Sequence, residues 1–322
     1  MKIEIRIPSR LHFALCDLRP ASVYGNGGIG LGIDAPHLEV SCTTGHGQVG
    51  LHGKATEQEG EVIALIKRLK AFVNVDTLDI EVVSHLPAHS GFGSHTALAL
   101  GIVEAVGLLS QSNWNERQII ELSGRGGTSG VGIQTYFHGG LAYDFGRPGV
   151  VPEELLPSSV SSPWVGPIFG PRVEFPDYWE VLLAIPNGNH VYGQKEVEFF
   201  EEHTPLEELD ALRAIASIHH GVIPAVASAD LVALATSLRR VHLSGFKMLE
   251  LKYQSQDVRQ MYGALVEKNI ASGLSSFGPL IYSIVDVDDR EAKDYFEIVA
   301  SAHSAHIFNP TIASRGRLVS IL

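Results

Sequence analysis

The sequence predicts an α+β protein built from two units, and three observations predict it. Period-two alternation and helical spacing both recur along the chain, but without the strict strand–helix alternation of a doubly wound sheet. The 322 residues exceed one ordinary domain. Between Arg147 and Pro176 the periodicity fades into prolines and a Ser158-Ser159-Val160-Ser161-Ser162 run, which marks a linker. The expected units are therefore 1–165 and 166–322.

The elements follow in order. Residues 1–7 alternate and meet Pro8, which reads as a strand closed by proline. The five glycines of Tyr24–Gly32 predict a loop or tight backbone crossing, after which His37–Thr43 alternates again as a half-buried strand. Val62, Leu65, Ile66 and Leu69 give helical spacing to Glu59–Phe72. Leu78–Val83 reads as a strand, and helices follow over about Ser94–Leu109 and Glu116–Ser123. Gly124–Gly140 is glycine-rich, and Gly139–Phe145 looks like a strand. Trp179–Ile185 opens the second unit as a strand. Helical stretches then cover about Lys195–Phe200, Glu207–His220 and Ala229–Val241, before the strand Ile281–Val285 and the helix Arg290–Ala300.

Composition narrows the function. A net charge of −12 opposes general nucleic-acid binding, whose affinity comes from Lys and Arg on phosphates. It does not oppose a phosphate substrate, because backbone N–H groups hold an anion without side-chain charge. Two cysteines, Cys16 and Cys42, form no metal or redox pattern, so a reduced, cytoplasmic protein is expected. No apolar run reaches the ~18 residues of a membrane span. His203 and His219-His220 lie in polar stretches and make no metal-ligand pattern.

Three glycine clusters carry the chemistry. Pro87-Ala88-His89-Ser90-Gly91-Phe92-Gly93-Ser94-His95-Thr96-Ala97 joins a strand to an apolar helix. Its glycines permit positive φ, its hydroxyls stand at the helix entrance, and the first helical N–H groups lack internal partners. That combination suits a phosphate, although an N-capped helix after a tight turn explains it equally well. Neither a Walker sequence nor a dinucleotide fingerprint is present. Gly124-Arg125-Gly126-Gly127-Thr128-Ser129-Gly130-Val131-Gly132 sets one guanidinium among glycines and hydroxyls, and Gly273-Leu274-Ser275-Ser276-Phe277-Gly278-Pro279 is a third such turn. Near the start, Ser9-Arg10-Leu11-His12 places Arg10 and His12 on one face of a strand, with Asp17 beyond.

In this order the clusters resemble the GHMP superfamily, which includes galactokinase and homoserine, mevalonate and phosphomevalonate kinases. The Pro87 loop is similar to its phosphate-binding motif P-x-x-x-G-L-G-S-S-A, and Gly273–Gly278 to its C-terminal motif. The strings Pro8–Phe13, Gly25–Gly32, Ser94–Leu100, Gly124–Gly130 and Gly273–Pro279 more specifically resemble β-ribofuranosylaminobenzene 5′-phosphate synthase, a non-kinase branch, from about residue 3 onward. Two departures from the kinases matter. Gly132 stands where an S-G-x-D string carries the catalytic acid, and His95 replaces the second serine of the loop.

The resemblance implies a two-domain GHMP-kinase-like fold: an N-terminal α/β domain with left-over-sheet helices and a C-terminal ferredoxin-like α/β plait. It implies transfer of ribose 5-phosphate from phosphoribosyl diphosphate to 4-aminobenzoate or 4-hydroxybenzoate, with release of CO2 and diphosphate, in tetrahydromethanopterin biosynthesis. Mg2+ is the implied cofactor, and a cytoplasmic homodimer without nucleic-acid or membrane partners is expected. Ser90, Gly91, Gly93, Ser94, His95 and Thr96 are expected to cradle the diphosphate or its metal. Arg125, Thr128 and Ser129 are expected on a phosphate or the benzoate carboxylate, and Arg10, His12 and Asp17 near the ribose or ring. His12 and Asp17 are the proton-transfer candidates, Gly273, Ser275, Ser276 and Gly278 close the site, and Ser94 and Asp144 are the metal candidates. The alternatives are an ATP-dependent small-molecule kinase and a non-catalytic sensor of a phosphorylated metabolite.

Overall fold

The computed structural model describes the chain except residues 74–76, 87–89, 126–128, 150–154, 158–165 and 192 and the side chains of 54 and 57. The first half carries strands β1 (Lys2–Asp17), β2 (Tyr24–Thr44) and β3 (Val49–Gly53), helix α1 (Glu59–Leu69), strand β4 (Leu78–Ser84), and helices α2 (Ser94–Leu109), α3 (Glu116–Ser123) and α4 (Gly130–His138), then β5 (Leu141–Asp144) and β6 (Arg147–Pro148). The second half carries β7 (Trp179–Ile185) and helices α5 (Gln194–His203), α6 (Glu208–Ser217), α7 (Ile223–Ala227), α8 (Leu231–Val241), α9 (Gly245–Tyr253) and α10 (Gln256–Glu267). It ends with β8 (Ala271–Leu274), β9 (Ile281–Asp286), α11 (Arg290–Ala302), β10 (His306–Phe308) and β11 (Leu318–Ile321).

Two sheets organise these elements as the α+β, two-domain fold that was expected. The first has the order β11-β1-β2-β4-β3, with β5 and β6 also paired to β2; the second has the order β10-β7-β9-β8. The last strand, β11, returns to the first sheet and runs antiparallel to β1, with Ile5 opposite Val319. The junction expected after residue 165 borders residues that the structure does not describe.

The sequence and the structure part in several places. Pro8 does not close the first strand: the pairing of β1 with β2 slips between Ile7 and Ser9, and that irregularity accommodates a residue without an N–H. The glycines of 24–32 are no loop but the first part of β2, paired with both β1 and β5. A Cβ at Gly30 would collide with the Leu11 carbonyl and with Val131 of α4, so glycine there reports close packing rather than a turn. The glycine-rich 124–140 stretch contains helix α4. The proposed linker is partly docked, with Phe169 bridged to Asp144 and Val173 to Leu141. Helices α9 and α10 and strand β8 carry no mark in the sequence reading.

Helix α2 begins at Ser94 as the sequence predicts, and it is apolar on nearly every side because it is buried against the first sheet. Its one buried acid, Glu104, accepts hydrogen bonds from Arg317 Nη2 at 2.7 Å, Arg317 Nε at 2.9 Å and Tyr136 Oη at 2.5 Å. Tyr136 belongs to α4, so this satisfied polar cluster locks α2 to α4 and fixes how their N-termini lie together. Among the described residues no helix is long and apolar enough to cross a membrane.

Candidate active site

Three chain segments meet at the N-terminus of α2. The Arg10 amide of β1 donates to the Phe92 carbonyl at 3.1 Å. The His12 amide donates to Ser275 Oγ at 3.0 Å, Ser275 Oγ donates to the Gly91 carbonyl at 2.8 Å, and the Ser276 amide donates to the His12 carbonyl at 2.9 Å. Two glycines are required by this closeness. Gly91 (φ 101°) packs on the Ser275 carbonyl, and a Cβ on Gly93 (φ 74°) would lie 2.6 Å from Arg10 Nε. The Arg10 guanidinium therefore lies across the loop that opens α2.

That end of the site has the chemistry to take an anion. Gly93, the residue before α2, offers no side chain to cap the helix, and its first turn has no acidic residue. Ser129, before α4, does not cap its helix either, and its hydroxyl is buried without a hydrogen-bond partner. Uncapped N–H groups carry partial positive charge toward whatever occupies the space. Two guanidinium groups add to it: Arg10 Nη1 and Arg125 Nε are both buried without a partner. Burial drives the Arg10 guanidinium down to about 10, and Arg125 pushes the same way while Glu196 opposes. Two buried guanidinium groups with unpartnered nitrogens offer charge-assisted donors of the kind that suit a phosphate or carboxylate.

Behind Arg10 opens a pocket. Arg10, His12, Asn26, Ser129 and Asp144 form its polar wall, with Glu196 and Glu250 from the second half, and Leu15, Val131, Phe200 and Phe277 supply apolar surface. Asn26 Nδ2 and His12 Nδ1 are buried without partners. Burial, followed by the nearby Arg10 and Lys247 charges, drives the His12 imidazole well below its ordinary range, so it is neutral. Glu250 is held by Lys247, whose Nζ lies 2.5 Å from Glu250 Oε2 and donates to the Ser276 carbonyl at 3.0 Å. Burial drives both groups of this pair toward neutrality, and their mutual attraction opposes it.

Asp144, at the end of β5, is fully buried, and burial raises its carboxyl to about 7 despite hydrogen bonds from the Gly146 and Gly28 amides. Its carboxylate fills the space a side chain at Gly130 would need. The sign of its effect on stability follows. The folded state keeps this proton up to about pH 7, whereas an unfolded aspartate releases it near 3.8, so between those values the folded state binds more protons. Stability then falls as pH rises through that window and stays reduced above it. Asp144→Asn is expected to be more stable than the parent at pH 8, by about 4 kcal/mol at most, and to flatten that fall; urea midpoints at pH 5 and pH 8 check it.

The structure brings some of the expected residues together and not others. Arg10, His12, Ser129, Ser276 and Asp144 line the pocket. Gly91, Gly93, Ser94 and Thr96 form the helix entrance, where Arg125 Nη2 reaches Thr96 Oγ1 at 3.4 Å. Ser90 is buried beside it, and His95 lies 3.9 Å from Glu61. Thr128 lies outside the described residues. Asp17 is not brought to the pocket: Arg19 and Ser22 hold its carboxylate, with Arg19 Nη2 at 2.8 Å. Partial burial raises the Asp17 carboxyl, but those hydrogen bonds outweigh it and hold it below its ordinary value. Ser275 has its hydroxyl consumed in fastening the loops. Gly273 packs beneath Tyr282 and His242, and Gly278 (φ 76°) makes the turn after it. Asn26, Glu196, Lys247 and Glu250 escaped the sequence reading. Asn26 sits within the glycine string whose composition reads as a loop, and the other three lie on helices whose approach to the site is purely tertiary.

Known proteins share this chain's sequence family and fold. The family described as GHMP kinases N terminal domain matches residues 60–140, a span that includes α2 and α4. The chain is 35% identical over 302 residues to the β-ribofuranosylphenol 5′-phosphate synthase of Archaeoglobus fulgidus, covering 91% of this chain and 92% of that one. It is 32% identical over 309 residues to the protein of the same name from Methanocaldococcus jannaschii, covering 91% and 93%. Among solved structures it resembles homoserine kinase from Cytophaga hutchinsonii, with a TM-score of 0.69, 14% identity and coverage of 99% and 97%. The last likeness shows the fold.

Proposed function

The chain belongs to the β-ribofuranosylphenol 5′-phosphate synthase family of enzymes, and from that premise we propose that it joins phosphoribosyl diphosphate to 4-hydroxybenzoate. The relatives' name specifies a ribosylated phenol, which favours 4-hydroxybenzoate over 4-aminobenzoate as acceptor. In the reaction the C1–O bond to diphosphate breaks, the ring carbon bearing the carboxylate bonds to C1, and that carboxylate leaves as CO2. Electrons of the C–COO⁻ bond return to the ring, and the phenol keeps its proton overall. The product carries the ribose 5-phosphate of the donor and belongs to methanopterin assembly.

One observation carries this reading: two buried guanidinium groups, each with an unpartnered nitrogen, face uncapped helix N-termini beside a pocket with further unpartnered donors. Leaving diphosphate gathers charge as C1–O breaks, and preorganised N–H and guanidinium donors stabilise that charge where it forms. Arg10 and Arg125 hold the diphosphate at the start of α2. The apolar walls Leu15, Val131, Phe200 and Phe277 take the aromatic ring, and neutral His12 orients its hydroxyl. Asn26 Nδ2 supplies a donor to the ribose.

Mg2+ prefers carboxylate, hydroxyl and phosphate oxygens, and the donor set fits it. Asp144 and Glu196 line the pocket, Ser94 stands at the phosphate end, and the raised Asp144 carboxyl is one that a nearby cation returns to its charged form. When bound, the ion supplies charge neutralisation to the departing diphosphate. A kinase reading is disfavoured by Gly132, where a Cβ would already stand 3.2 Å from Thr96 Cγ2, leaving little room for a catalytic acid.

The test is release of labelled CO2 from carboxyl-labelled 4-hydroxybenzoate with phosphoribosyl diphosphate and Mg2+. Ser94→Ala and Arg125→Ala are each expected to reduce kcat/KM, with Arg125→Ala losing about 100-fold. Turnover and affinity unchanged in both variants would show that the diphosphate sits elsewhere. ATP-dependent phosphorylation without CO2 release would establish the kinase instead.

A further inference from the structure

We propose a second metal site, separate from the pocket, in which His37, Glu39 and His85 hold one transition-metal ion of the Zn2+ class. His37 and Glu39 are two residues apart on β2 and so lie on the same face of the sheet. Leu38, between them, faces the core. The register of β2 with β4 pairs Leu38 with Ser84 and Glu39 with Val83, which sets His85 beside His37 just past the end of β4. The backbone confirms it: the His85 amide donates to the His37 carbonyl at 3.2 Å.

The side chains converge as their backbones do. His37 Nε2 is 2.9 Å from Glu39 Oε1, the His37 and His85 rings are 4.8 Å apart between centroids, and one ligand atom from each residue lies within 4.8 Å of the other two. With metal–nitrogen and metal–oxygen bonds of about 2.0–2.2 Å, ligand atoms in a tetrahedral site stand about 3.3 Å apart. Small side-chain rotations on a fixed two-strand frame reach that spacing. Two imidazoles and one carboxylate select Zn2+, Co2+, Ni2+ or Cu2+ over Mg2+, which wants oxygen alone. The partly exposed position leaves water to complete the coordination. An ion here would clasp the end of β4, five residues before Ser90 and the loop that opens α2.

The experiment is titration of the tag-free, chelator-treated full-length chain with Zn2+ by calorimetry, and with Co2+ by visible absorption. The expected result is one ion per chain, with a rise in Tm on Zn2+ addition. His37→Gln combined with His85→Gln is expected to abolish both, and Glu39→Gln alone to weaken binding by more than about tenfold, the scale of losing even an outer-shell partner. Asp144→Asn is expected to keep the full stoichiometry, which separates this ion from Mg2+ at the pocket. Cys16 and Cys42 are buried and do not compete for metal in the folded chain. No stoichiometric Zn2+ binding at micromolar concentration, or equal binding by the His37/His85 double variant, would overturn the proposal.

Discussion

Replacing Lys247 by methionine is expected to destabilise the protein by about 3–5 kcal/mol, because it leaves the buried Glu250 without its counter-charge. The Lys247 side chain is almost wholly enclosed, and its ammonium serves both Glu250 and the Ser276 carbonyl. The loss has an upper bound, since an uncompensated Glu250 takes up a proton rather than remain charged. The single variant should therefore recover part of its stability between pH 7 and pH 5. Lys247→Met with Glu250→Met should recover most of it at any pH, because removing both charges removes both desolvation costs. Urea midpoints of the two variants across that pH range measure the effect. Equal losses in the single and double variants would mean that packing, not charge, accounts for it.

The second large effect is at Arg10. Arg10→Ala is expected to lower kcat/KM by about 10²–10³-fold, the usual cost of deleting one preorganised donor from a site that stabilises developing charge. Arg10→Lys should restore only part of the loss, because an ammonium cannot span the Gly93 turn and present a planar fork together. If Arg10 acts on the leaving diphosphate, kcat falls while the KM for the benzoate changes little. Steady-state CO2 release with each substrate varied in turn distinguishes this from simple loss of binding. A fall confined to the benzoate KM would place Arg10 on the acceptor instead.

What was legible in the sequence follows from which signals are local. Helix α2 was legible because a run of mostly apolar and small residues follows a glycine turn, and both its ends lie where the spacing puts them. The joint presence of Arg10 and His12 in one wall follows from strand alternation, which no tertiary contact needs to supply. The glycines of 24–32 were misread because glycine is ambiguous. It marks a turn when φ is positive, and it marks close packing when a neighbour needs the space, as Leu11 and Val131 do at Gly30. Asp17 looked like a site residue because it ends the same strand. Arg19, two residues on, claims its carboxylate instead. Lys247 and Glu250 lie in a segment that no local pattern marked, and only burial makes them part of a site.

The bonds that fasten the site also decide when it can exist. The His12 amide reaches Ser275 across 263 positions of sequence, and Ser275 reaches Gly91 across 184. Closing loops of that length costs entropy before any contact repays it, so these joins are expected to form late in folding. The first sheet can gather its hairpin early, while Arg10 still lies on an open surface with no wall from the second half. Closure of the pocket is thereby expected to wait on completion of folding. A half-assembled chain would expose the arginine without its enclosure.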